Sequence, residues 1–142
     1  MEIFKNEKFK DRRRKHMNTQ LESCVTCIDN VMKLSGTELS MLFTLACYAN
    51  NENIILKNNG KYATCRSDVA MILNVSEGNK NLASMLRHKV ISKIKYGNIK
   101  AYAINPYIIY KGKTVHPDVY MGFSKSEYRY VYGDDYYEEV LV

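Results

Sequence analysis

Residues 67–105 constrain the fold more than any other stretch. They hold two short helical patterns joined by a tight turn, then two β-rich runs separated only by Gly97-Asn98. Ser67 is placed to cap a first helix in which Val69, Ala70 and Leu73 face inward. Asn74 follows, and Asn accepts the left-handed conformation that a tight interhelical turn often needs. Ser76 is placed to cap a second helix over about 77–87, with Leu82, Met85 and Leu86 on one side. The runs 90–96 and 99–104 read as strands, and Gly97 accepts the positive φ of a two-residue hairpin turn. Asn105-Pro106 ends the pattern, because Pro cannot continue a ladder. Helix, turn, capped helix and hairpin, in that order, predict a winged helix-turn-helix.

Upstream, Ser35-Gly36-Thr37-Glu38 matches a capping box, with Leu34 and Leu39 at the hydrophobic staple positions. Leu39, Leu42, Phe43 and Ala46 continue at helical spacing, which predicts a helix over about 36–49. Ile54-Ile55-Leu56, before Asn58-Asn59-Gly60, reads as a brief buried strand. In residues 19–33, Leu21, Val25, Ile28 and Met32 follow i, i+4, i+7, i+11, the pattern of one helix face. The β-branched residues there leave a strand open for part of it. Residues 107–132 are rich in Tyr and carry no periodic pattern that assigns them.

The expected fold is α+β: a winged helix-turn-helix with an N-terminal basic arm or helix and a C-terminal extension. Its divisions are a basic arm at 1–16, the DNA-binding domain at 17–106, a Tyr-rich extension at 107–132 and an acidic tail at 133–142.

Charge points to a polyanion partner. The chain carries a formal net charge of +6. The last ten residues hold Asp134, Asp135, Glu138 and Glu139 and no Lys or Arg, so the body is more basic than the whole. Arg12, Arg13, Arg14 and Lys15 lie in the arm, where they read either as phosphate contacts or as a solvated charge run. No apolar run approaches the roughly 20 residues of a membrane span, and the first residues lack the apolar run of a secretory signal. A cytoplasmic protein with no membrane partner is expected.

The cysteines are Cys24, Cys27, Cys47 and Cys65. Cys24-Val-Thr-Cys27 has a spacing that zinc and redox sites both use. A structural zinc site usually needs a second pair, and Cys47 and Cys65 do not form one. The bland reading, small buried hydrophobes in a reducing compartment, is preferred, and no metal or cofactor is expected. His16, His88 and His116 are isolated, which excludes a paired-histidine site. Gly112-Lys113-Thr114 lacks the earlier Gly of a phosphate-binding loop, since position 107 is Tyr107. No catalytic residue is assigned.

A recognition helix needs polar side chains that reach base edges. Asn79, Lys80, Asn81, Ser84 and Arg87 are available on the second helix, with His88 at its end as a phosphate contact or helix-end cation. Lys93, Lys95 and Lys100 on the hairpin, with Tyr96 beside its turn, suit phosphate contact. The plainer reading of both sets is a solvated surface. The expected partner is double-stranded DNA, bound by a homodimer across two half-sites, with a replication or regulatory protein as a further partner.

The order of Leu34-Ser35-Gly36-Thr37-Glu38-Leu39, a helix, Ile54-Ile55-Leu56, a helix-turn-helix, a hairpin, Ala103-Ile104-Asn105-Pro106 and Lys111-Gly112 resembles the RepL-type replication proteins of Gram-positive plasmids and related phage proteins. The resemblance covers about residues 30–112. It implies origin or operator binding on a mobile element. The chain departs from that family early in the second helix, where Glu77, Gly78 and Asn79 stand in place of Arg and Thr. A transcriptional repressor or a partition-site binder would share these features. A protein-interaction module with a degenerate winged helix is the alternative from another class, favoured by Glu77, Gly78 and the acidic tail.

Overall fold

The computed structural model describes residues 25–112 and 114–128. It is an α+β structure with five helices among those residues. In chain order the elements are β1 (Val25–Thr26), α1 (Ile28–Val31), α2 (Gly36–Tyr48), α3 (Arg66–Leu73), α4 (Lys80–Arg87), β2 (Ile91–Tyr96), β3 (Ile99–Ile104), β4 (Ile109–Tyr110) and α5 (Pro117–Gly122). β2 and β3 form an antiparallel hairpin, and β1 pairs antiparallel with β4.

The capping box at the start of α2 is formed. Ser35 Oγ accepts from the Glu38 amide at 3.1 Å, and Glu38 Oε1 accepts from the Ser35 amide at 3.1 Å. Such a cap is worth about 1 kcal/mol. From it α2 runs with Met41, Leu42, Leu45 and Ala46 buried. Its C-terminal end is closed by a side chain far along the chain. Lys111, only 8% exposed, donates from Nζ to the carbonyls of Ala46 at 2.8 Å and Ala49 at 2.6 Å. A cation there satisfies the Ala49 carbonyl, adds to the Ala49 amide as a donor to the Ala46 carbonyl, and complements the helix dipole.

α3 begins one residue before Ser67, the expected cap. Cys65 is at the N-cap, and Asp68 Oδ2 accepts from the amides of Thr64 at 3.0 Å and Cys65 at 3.3 Å. A carboxylate three residues into the turn reaches back more readily than the Ser67 hydroxyl, which sits 3.0 Å from the Cys65 thiol. Asn74 ends α3 at φ 56° and ψ 47°, in the left-handed region as expected. α4 starts later than expected, at Lys80, because Asn79 and not Ser76 caps it. Asn79 Oδ1 accepts from the amides of Asn81 at 2.9 Å and Leu82 at 3.1 Å. Leu82 and Met85 are fully buried and Leu86 is partly so.

The hairpin pairs Lys93 with Tyr102, Ile94 with Ala101, Lys95 with Lys100 and Tyr96 with Ile99. Gly97 takes φ 61° in its turn. Ile54 and Ile55, both fully buried, lie along β3 through a bridge from Ile54 to Ala103 and a bond from the Ile55 amide to the Tyr102 carbonyl at 2.9 Å. The brief buried strand is therefore an edge strip beside the hairpin.

One expectation needs correction. The helix face proposed for 19–33 does not form in its described part. Val25–Thr26 is a strand and Ile28–Val31 a single helical turn. Ile28 and Met32 are exposed, while Cys27 and Asn30 are buried. Residues 19–24 lie outside the described residues.

The described part of the Tyr-rich extension packs against the elements before it. Tyr107, Ile108, Ile109, Tyr110, Val115, Val119, Phe123 and Tyr128 belong to the same apolar core as Leu42, Ile55, Leu82 and Ile91. Three buried asparagines stitch this segment in. Asn30 Nδ2 donates to the carbonyls of Tyr107 at 2.7 Å and Tyr128 at 3.0 Å. Asn53 Nδ2 donates to the carbonyls of Ile104 at 2.9 Å and Ile109 at 2.7 Å, and its Oδ1 accepts from the Lys111 amide at 3.1 Å. Asn105 Nδ2 donates to the Lys89 carbonyl and to Ser126 Oγ, each at 2.7 Å. Buried amides matched in this way replace the ladder that irregular backbone lacks.

Candidate nucleic-acid interface

In an antiparallel pair, directly opposed residues share a face of the hairpin. Lys93, Lys95 and Lys100 therefore lie on one face, with Tyr102 beneath them, and Tyr96, Ile99, Ile94 and Ala101 lie on the other. All three lysines are exposed, and none forms an ion pair or hydrogen bond with a described residue. Lys95 stands directly opposite Lys100. Like charges so placed destabilise a hairpin unless an anion lies between them.

Arg66, at the first position of α3, lies close enough to Tyr102 to act on its phenol. Burial raises the pKa of the Tyr102 phenol, and the nearby Arg66 guanidinium opposes that shift. Arg66 Nε is buried and makes no hydrogen bond within the structure. The sequence reading missed Arg66. The available signal was a cation in the first turn of a helix, where the dipole favours an anion.

The residues singled out on the second helix divide into two groups. Lys80 and Arg87 are exposed. They fall at i and i+7, on the side of α4 away from Leu82 and Met85. Asn81 is half-buried on its flank. Asn79 uses its carboxamide oxygen in the N-cap. Ser84 is half-buried beside Glu38. His88, the C-cap of α4, has Nδ1 2.9 Å from Glu127 Oε1.

Ser84, His88, Lys33, Glu38, Glu127 and Tyr128 line one small recess. Glu38 is partly desolvated there, yet its carboxyl lies below its ordinary range because Ser35 and Ser84 hydrogen-bond the charged form.

Tyr96 is not on the lysine face. Its phenol donates to the Glu52 carboxylate. Burial and that carboxylate hold the phenol protonated well above its ordinary range. Its ring meets Tyr62 edge-on at 5.7 Å and His116 at 5.3 Å. Arg12, Arg13, Arg14 and Lys15 lie outside the described residues, as does Cys24 of the CxxC pair. Cys27 is buried, Cys47 half-buried and Cys65 exposed. Among the described residues no cluster of three His, Cys, Asp or Glu side chains is disposed to hold a metal ion. No helix there is long and apolar enough to cross a membrane.

Comparison of the chain with protein-family models, with curated proteins and with solved structures finds no match.

Proposed function

We propose that residues 25–128 form a winged helix-turn-helix that binds double-stranded DNA, with α4 as the recognition helix and the β2–β3 hairpin as the wing. The observation that carries this reading is the unneutralised lysine face of the hairpin, with Lys95 opposed to Lys100 on the strands that follow α3 and α4. A phosphate backbone supplies the anions that such a face lacks. In this reading Lys93, Lys95, Lys100 and Arg66 hold the duplex without reading sequence. Lys80 and Arg87 reach base edges from the exposed side of α4. Asn79 supports them by fixing where α4 begins. The protein acts as a homodimer across two half-sites. Its use as a replication initiator or regulator of a plasmid or phage rests on the RepL-like order of residues 30–112.

The test is fluorescence anisotropy on duplex fragments over a salt series. The parent chain is expected to bind with a logarithmic salt slope. The triple substitution Lys93→Ala, Lys95→Ala, Lys100→Ala should flatten that slope by about 2–3, at roughly 0.9 per phosphate contact. A slope left unchanged by the triple variant overturns the assignment of the face. A second reading, a protein-interaction module, is favoured by the Glu127–His88 pair, which places an acid on the end of α4. It takes the lead if the parent binds no duplex.

A further inference from the structure

Wings are β-hairpins whose tips project from the domain, so the aim of the tip decides whether its cations meet a phosphate. In this structure the tip is tied down. The Gly97 amide, in the hairpin turn, donates to Asp118 Oδ2 at 2.8 Å across 21 residues of sequence. Asp118 is the second residue of α5. We propose that α5 is a strut that aims the wing, with Asp118 as its positioning residue. The proposal rests on the DNA reading above.

Three features make α5 stiff enough for that role. Val119 and Phe123, fully buried, root it in the core. Gly122 lets its backbone lie directly on Ile94 of β2, where a Cβ would collide with that side chain. Its N-terminus is fixed from two sides: His116 Nδ1 accepts from the Asp118 amide at 3.0 Å, and the His116 amide donates to the Tyr110 hydroxyl at 3.2 Å. The His116 ring also lies against Tyr96, the last residue of β2, whose phenol is held by Glu52. The end of the hairpin is thus held on the face opposite the lysines, leaving Lys93, Lys95 and Lys100 clear. Asp118 touches no phosphate in this arrangement. An anion there disfavours DNA by charge and favours it by geometry.

That opposition supplies the test. Asp118→Ala and Asp118→Asn remove the same charge, but Asn keeps an oxygen that accepts from the Gly97 amide. Duplex affinity of the full chain is measured by anisotropy across salt, with hydrogen exchange of the Gly97 amide followed in parallel. Asp118→Ala is expected to bind about fivefold more weakly than Asp118→Asn, the factor that one hydrogen bond of ordinary net strength represents. Both should show the same salt slope, because neither loses a phosphate contact. Gly97 exchange should rise in Asp118→Ala and stay near the parent rate in Asp118→Asn.

Equal affinities for the two variants would show that only the charge matters and overturn the strut. A parent that binds no duplex overturns the DNA reading instead. If Asp118→Ala fails to fold, Tyr96→Phe serves in its place, since it keeps the ring packing and releases the Glu52 anchor. It should weaken binding several-fold at unchanged slope, and parental affinity in that variant overturns the proposal.

Discussion

Lys100→Glu should make the protein more stable and a poorer DNA binder at once. In the free chain Lys100 faces Lys95 across the hairpin, with both side chains exposed. A like-charged pair directly opposed costs a few tenths of a kcal/mol, and an opposite pair gains about as much, so the swap is worth about 0.5–1 kcal/mol after solvent screening. For a chain of this size that raises the thermal midpoint by about 1–4 °C. If the proposed face meets DNA, the same substitution removes one cation from the hairpin and adds an anion, which should flatten the salt slope by roughly one to two ions. Lys100→Gln is the control, relieving the repulsion without creating an attraction, and it should fall between the parent and Lys100→Glu in both measurements. Thermal melts at low salt and anisotropy across salt read the two effects separately. A midpoint that falls in Lys100→Glu would refute the pairing of Lys95 with Lys100. A raised midpoint with parental DNA affinity would show that this face does not meet the duplex.

Lys111→Met keeps much of the buried stem but takes the ammonium from the Ala49 carbonyl and leaves the Ala46 carbonyl only the Ala49 amide at 3.3 Å. Urea unfolding at pH 7 should show a loss of about 1–3 kcal/mol, since one orphaned buried acceptor costs about that much, and no measurable loss would mean that water replaces the ammonium freely. Alkali should destabilise the fold through Tyr128, whose phenol is pushed up from 10.0 to about 12, first by burial and then by Glu127 and Glu38. Its unfolded phenol ionises first, so its contribution is complete below pH 10 and lost as pH rises toward 12; chemical unfolding of Tyr128→Phe at several pH values should show a shallower alkaline decline than the parent, and parallel declines would refute the assignment.

What the sequence made legible was local. The α2 capping box, the left-handed Asn74 and the Gly97-Asn98 turn each need only residues within a few positions of one another, and each formed as expected. Asn79 was ambiguous because Asn both caps helices and reads adenine, and its three-residue spacing to Leu82 was the cue for the cap. Residues 107–128 were illegible for a different reason. They are held by Asn30, Asn53, Asn105 and Lys111, polar residues that in sequence suggest turns or surface. Nothing in a polar residue's own neighbourhood shows that it will be buried and matched from far away. In 25–32 a helical periodicity of apolar residues misled, because the segment is a strand followed by a single turn whose inward positions are Cys27 and Asn30. On the interface, the hairpin lysines were readable, while the proximity of Arg66 to Tyr102 depends on tertiary packing.

The pairing of β1 with β4, and the bond from Asn30 to the Tyr128 carbonyl across 98 residues of sequence, set an order for folding. α2, α3, α4 and the hairpin meet one another within residues 36–104, across shorter loops than those that bring β1 to β4, so they can assemble before β1 and α1 dock. β1 and α1 gain their partners only after residues 107–128 are in place, and closing so long a loop is entropically costly until those partners exist. During synthesis, β1 and α1 therefore emerge before α2, α3, α4 and the hairpin but dock after them. The same order run backwards makes the β1–β4 junction the natural first step of opening in the native state, detectable as early exchange of the Cys27 amide, which bonds the Ile108 carbonyl.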